Sequence, residues 1–235
     1  MLEKFIENAR EDSLTAAVFS HLLHLPSEVF WRILRNACYT DHLPEYAGEP
    51  KSVEPWPNWD PEGTDNSNRV IPDLFIRFAD FDLIIEAKRW DADMQEPSQW
   101  KNEVTAYAKE YGKDKVLVSK DKVLVRMIAL GGIRDMEDDE VVLPTITCPV
   151  HMCKWAHVLA ECQHMKKELE RLKYPSSHTQ ACVRILTHLI DLFAWHGYST
   201  GLWFADFNFE RHHLSSSISA HLHLFQNRSK KLSII

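Results

Sequence analysis

Hydrophobic and polar positions change rhythm several times along the chain, and the changes mark its elements. Leu2, Phe5, Ile6 and Ala9 recur at helical spacing, and Leu14, Ala17, Val18, His21, Leu22 and Leu25 extend the stripe beyond a turn that Asp12 or Ser13 caps. Pro26 stops it, and Ser27 opens a second helix with Phe30, Ile33, Leu34 and Cys38 on its buried side. Residues 39–68 lose all periodicity and gather Pro, Gly, Asp and Asn, as loops do. Two apolar runs follow, 70–78 and 83–89, separated by Ala79, Asp80, Phe81 and Asp82, which reads as a hairpin.

Closing that hairpin symmetrically about Asp80 and Phe81 sets Leu74 opposite Ala87, Ile76 opposite Ile85 and Phe78 opposite Leu83. Opposed residues of an antiparallel pair share a face, so these six form one apolar side. The same register sets Asp73 opposite Lys88, with Glu86 on the same second side.

Downstream, Gln99 opens a helix whose buried stripe is Trp100, Val104, Tyr107 and Tyr111, with Gln99, Glu103 and Glu110 on another side and Gly112 at its end. Strands are expected at 115–119 and 123–130, ended by Gly131 and Gly132, then an acidic loop at 134–140 and a strand at 141–148. Residues 161–173 form a charged helix in which Glu168 and Glu170 face Arg171 and Lys173. Pro175 breaks it, and 181–196 is an amphipathic helix closed by Gly197. Residues 202–209 are aromatic and strand-like, suited to an edge or an interface, and the basic tail to residue 235 reads as a frayed end.

The 235 residues, 45% apolar and 26% charged, suit a soluble globular protein of one domain with helical additions or at most two small domains, and the order of helices and strands is that of an α/β fold. A net charge of −7 and a pI near 6.0 argue against a general basic coat, though not against a local basic groove. Five cysteines without secreted spacing, and no leader segment, point to reduced thiols in a cytoplasm. No apolar run reaches the length of a membrane span. Cys148, His151, Cys153, His157, Cys162 and His164 crowd into seventeen residues. Their spacing fits no known zinc finger, and Trp155, Val158 and Leu159 give the stretch a helical stripe instead, with the cysteines as small buried residues.

The charges on the hairpin need a reason, because charge on a core strand is costly unless paired or metal-bound. One reading is a structural Lys88–Asp73 pair with Glu86 in solvent. The other is a hard-cation site, with Asp73 and Glu86 supplying oxygens and Lys88 orienting water or stabilising negative charge.

Pro72-Asp73, twelve intervening residues and Glu86-Ala87-Lys88 resemble the PD-(D/E)xK signature of the restriction-endonuclease-like nucleases. The resemblance covers roughly residues 52–148. It implies an αβββαβ core, here residues 1–160 with the N-terminal helices, and leaves 161–235 as a C-terminal helical extension packed on it. It further implies a metal-dependent nuclease using Mg²⁺ or Mn²⁺, held by Asp73, Glu86 and the carbonyl of Ala87, with Lys88 beside the nucleophile. Family members also carry a helix glutamine, best matched by Gln99 and next by Gln95, and a helix carboxylate, matched by Glu11 in Glu11-Asp12-Ser13-Leu14-Thr15. The family fold has a short strand before the Asp strand, which implies one at residues 51–56, confined to a sheet edge by Pro55 and Pro57, and Glu54 on it would face the same site. Asp91 and Asp93 are either further ligands or a solvated turn. Trp56 and Trp59 either stack on bases or pack in the loop. DNA is the implied substrate ahead of RNA, in host defence or restriction; the oligomeric state stays open, with residues 202–209 as the contact of a homodimer such as many of these nucleases form. Two other classes stay open: a nuclease-like module that binds nucleic acid or protein without cutting, and a purely structural protein.

Overall fold

A computed structural model describes residues 11–91, 95–111 and 125–198, without the side chains of residues 11 and 12. The chain divides into two units, Met1–Thr200 and Gly201–Ile235. The second unit, the helical stripe at 2–9 and the strand expected at 115–119 lie outside the described residues, and so does the 202–209 segment.

Two helices come first, α1 (Glu11–Leu22) and α2 (Ser27–Ala37). They are followed by β1 (Ser52–Pro55), β2 (Leu74–Arg77), β3 (Asp82–Ala87), α3 (Pro97–Tyr111) and β4 (Val125–Leu130). The described chain closes with β5 (Asp139–Leu143), β6 (Ile146–Cys153), α4 (Trp155–Glu170) and α5 (Ser177–Trp195). The strands form one mixed sheet in the order β1-β2-β3-β4-β6-β5. β1, β2 and β3 form an antiparallel meander, while β3, β4 and β6 run parallel. A parallel neighbour needs a crossover, and α3 lies in the one from β3 to β4. The division expected after residue 160 falls inside α4.

The sheet separates two apolar layers. Leu74, Ile76, Leu83, Ile85, Ile128 and Leu130 meet α1, α2, α4 and α5 on one side. Phe75, Ile84, Met127, Ala129 and Val150 meet α3 on the other. β3 is buried at all six positions, as expected of a strand covered on both faces. α5 starts cleanly because Ser176 Oγ accepts from the Thr179 amide at 3.0 Å. α2 has no such bond: its cap residue is Pro26, one before the expected Ser27, and no side chain caps it.

Three local expectations change. The hairpin turn is tighter than symmetry about Asp80 and Phe81 requires. The Phe78 amide donates to the Phe81 carbonyl at 2.9 Å, and Leu74 pairs with Ile85, Ile76 with Leu83 and Arg77 with Asp82. The register is thus slipped by two, which leaves all six apolar residues on their expected face but brings Asp73 across from Glu86, not Lys88. The single strand expected at 141–148 is two strands, β5 and β6, because Pro144 and Thr145 turn the chain. Glu168 bonds Arg32 on α2 and His164, and Glu170 bonds Lys166, in place of the pairs expected with Arg171 and Lys173.

Candidate functional site

The site lies where β2 begins and β3 ends, on the α3 side of the sheet. Asp73 precedes β2 and Glu86 is the penultimate residue of β3, with relative exposures of 8% and 3%. One Asp73 oxygen, Oδ2, accepts from the Ala87 amide at 2.8 Å, and Oδ1 accepts from the Trp56 indole at 3.2 Å. The Ala87 amide points towards β2, and in an extended strand the carbonyl of the same residue opens that way too. Lys88 Nζ donates to Glu86 Oε1 at 2.6 Å, so Glu86 is buried and paired rather than solvated.

Two glycines make room for Lys88. Gly131 and Gly132 end β4 with φ of +70° and +64°, a region that suits glycine. A Cβ on Gly131 would stand 2.4 Å from the Lys88 carbonyl, and one on Gly132 would stand 2.9 Å from the Lys88 side chain. Behind them, Trp155 donates through Nε1 to the Lys88 carbonyl at 2.7 Å. Asp91 accepts from the amides of Trp155 and Ala156, at 2.7 and 3.1 Å, and so caps α4. It is neither a solvated turn nor a neighbour of Asp73 in this network. Asp93 lies outside the described residues, as does the side chain of Glu11.

α3 supplies the other wall. Gln99 Nε2 donates to Glu86 Oε1 at 2.6 Å. Gln95 serves the frame: it donates to the carbonyls of Glu86 and Gly131, at 3.0 and 3.2 Å, and accepts from the Trp100 indole at 2.8 Å. Glu103, one turn beyond Gln99, is the residue that the sequence reading missed. It was set on a different side from the buried stripe, yet it is 2% exposed and hydrogen-bonds Glu86, with Oε2 unpartnered among the described residues. Burial first, then the charge and hydrogen bond of Glu86 and the charge of Asp73, push its carboxyl well above the ordinary 4.5, against the pull of Lys88. A bond between two carboxyl groups needs a proton on one of them. The signal was the i, i+4 spacing of Gln99, Glu103 and Tyr107, which lines one side of a helix. Tyr107, in the same row, donates to Asp82 at 2.8 Å, and burial pushes its hydroxyl up.

Glu54 pairs across from Phe75 and so shares the α3 side of the sheet with Asp73. Trp59 is a packing residue, 3% exposed among Phe75, Tyr107 and Tyr111. Cys148 and Cys153 lie on β6 and Cys162 in α4, all buried thiols. Among the described residues no three His, Cys, Asp or Glu side chains form a group able to hold a metal ion. Among the same residues no helix is long and apolar enough to cross a membrane.

The chain is 29% identical over 134 residues to a protein of Pasteurella multocida (strain Pm70) described as uncharacterized. The match takes in 56% of this chain and 46% of that protein, so the chain spans less than half the length of its relative. No family model and no solved structure matches the chain.

Proposed function

We propose that this chain is a restriction-endonuclease-like nuclease that hydrolyses phosphodiester bonds with the help of Mg²⁺ or Mn²⁺, DNA ahead of RNA. The observation that carries it is the convergence of Asp73, Glu86, Lys88 and Gln99 at one end of an antiparallel meander, two of them carboxylates buried at a sheet face. Burying both carboxylates is costly for stability alone. The donor set fits a hard cation. Mg²⁺ is commonly held through one or two carboxylates, with water and substrate oxygens completing the shell, so Asp73, Glu86 and the Ala87 carbonyl suffice without a third side chain. A bound ion would lower the pKa of a water and offset charge on the phosphate.

The chain's own residues do the rest. Ala87 and Trp56 fix the two oxygens of Asp73 by one hydrogen bond each. Lys88 and Gln99 fix Glu86 and set its orientation, and the Lys88 ammonium lies ready to stabilise charge that develops on the phosphoryl oxygens. The mixed six-stranded sheet, with its meander followed by a parallel strand after α3, agrees with the αβββαβ core of the same family. A homodimer and a role in defence rest on the resemblance alone.

A second reading has two observations in its favour. With no three-residue metal group among the described residues, and both Lys88 and Gln99 on Glu86 Oε1, the site also suits a module that binds nucleic acid or protein without cutting. One experiment separates the two. Plasmid, linear and single-stranded DNA and RNA are incubated with wild type, Glu86→Ala and Lys88→Ala in Mg²⁺, Mn²⁺ or EDTA. Cleavage that needs metal and falls by about a hundredfold to a thousandfold in each variant supports the nuclease. Binding without cleavage on every substrate rejects the nuclease in favour of the module.

A further inference from the structure

Among the described residues, the non-glycine residue with positive φ is Trp56, at +48°. A bulky side chain is strained there, and such strain persists only where the surroundings enforce it. Here Asp73 enforces it. The Trp56 amide donates to the Asp73 carbonyl at 3.1 Å, and the indole N–H donates to Asp73 Oδ1 at 3.2 Å. Yet the ring is not consumed by packing: it is 38% exposed, against 3% for Trp59 three residues later. A strained residue that donates through its ring N–H to a buried carboxylate and is still 38% exposed is poorly explained by stability.

Its position adds to this. β1 and β3 are both antiparallel to β2, so the segments leaving β1 and β3 emerge at the end where Asp73 enters β2. Trp56 follows β1 there. Trp90 follows Lys88 there, 50% exposed, with the Arg89 guanidinium 4.6 Å over its ring.

We propose that Trp56 is the positioning residue of Asp73 and also a stacking platform for an unpaired base, so that the substrate is a nucleic acid single-stranded or frayed at the site. In a duplex each base face is covered by its neighbours. A ring tied to Asp73 has only an unstacked base to receive, next to the phosphate that this carboxylate addresses. The inference rests on the nucleic-acid reading above.

The two roles separate in two variants of the full chain. Trp56→Phe keeps a ring and loses the N–H, while Trp56→Ala loses both. Labelled oligonucleotides of single-stranded DNA, single-stranded RNA and duplex DNA are titrated in EDTA by fluorescence anisotropy, and Mn²⁺ is titrated by calorimetry. Wild type should bind single strands more tightly than duplex. Trp56→Ala should weaken single-strand binding about tenfold or more. Trp56→Phe should keep that binding but weaken Mn²⁺ about tenfold or more, as loss of a ligand's hydrogen-bond partner does. Trp56→Gly should melt above Trp56→Ala, since glycine fits the positive φ, and this order controls for misfolding. Single-strand binding unchanged in Trp56→Ala, or a wild-type preference for duplex, overturns the platform and leaves the nucleic-acid reading standing. Unchanged Mn²⁺ affinity in Trp56→Phe overturns the positioning role. A wild type that binds no oligonucleotide overturns both the inference and the reading beneath it.

Discussion

The two faces of the sheet solve different problems with the same strands. On the side of α1, α2, α4 and α5, the meander contributes Leu74, Ile76, Phe78, Phe81, Leu83, Ile85 and Ala87 to one continuous apolar layer. On the α3 side the same strands carry Asp73, Asp82 and Glu86, each buried, and α3 answers with Gln99, Glu103 and Tyr107. The first face gains free energy from every residue it covers. The second spends some of that gain to hold Asp73, Asp82 and Glu86 away from water, each of these three matched to a donor. Stability and chemistry are thus divided by a single layer of backbone, which gives the division a testable form.

The largest effect is expected on the apolar side. Phe193 of α5 is fully buried beside Trp155, and Phe193→Ala should cost about 3–5 kcal/mol. Urea denaturation measures it, and binding or cleavage per folded molecule should be unchanged; a change in either beyond the folded fraction would mean that the faces are not separate. Gly131→Ala tests the seam between them. Its Cβ would press on the Lys88 carbonyl and the Trp155 ring, with a positive φ besides, so a loss of about 1–3 kcal/mol should accompany displacement of Lys88. An alanine variant with wild-type melting and activity would rule out the close approach.

The smallest effect is pH-dependent. Glu103 has its carboxyl raised above 4.5 by burial and by Glu86 and Asp73. Between 4.5 and the raised value the folded chain keeps a proton that the unfolded chain has released, so wild-type stability falls as pH rises through that window. Glu103→Gln removes the titration. Its melting temperature should therefore exceed that of wild type by a margin that grows above pH 4.5 and vanishes below it. A constant margin across pH would place the origin elsewhere.

How much of this was legible depends on which symmetry protects each inference. A register slip of two preserves the side of every residue, so the apolar set from Leu74 to Ala87 was readable even though the turn between Phe78 and Phe81 was not. The same slip changes the opposed partner, which is why Asp73 faces Glu86, while Lys88 reaches Glu86 from two residues along its own segment. On α3 the apolar stripe of Trp100, Val104 and Tyr107 was plain, but a helix side carries polar residues as readily as apolar ones. Glu103 read as surface because charge usually means surface. What holds it inward is its hydrogen bond to Glu86, which a strand distant in sequence supplies. Asp91 likewise acquires its role from Trp155 and Ala156, residues far along the chain.

The Trp155 bond to the Lys88 carbonyl has a dynamic consequence. The Lys88 amide donates to Leu130 and the Gly131 amide to Cys153, so the end of β3 is laced through β4 and β6 to the first turn of α4. Lys88 therefore has no private way to loosen. Fraying that frees it must also lift Trp155 out of the layer it shares with Phe19 and Phe193. The Lys88 segment is thus tied to the same cooperative unit as the buried layer around Trp155.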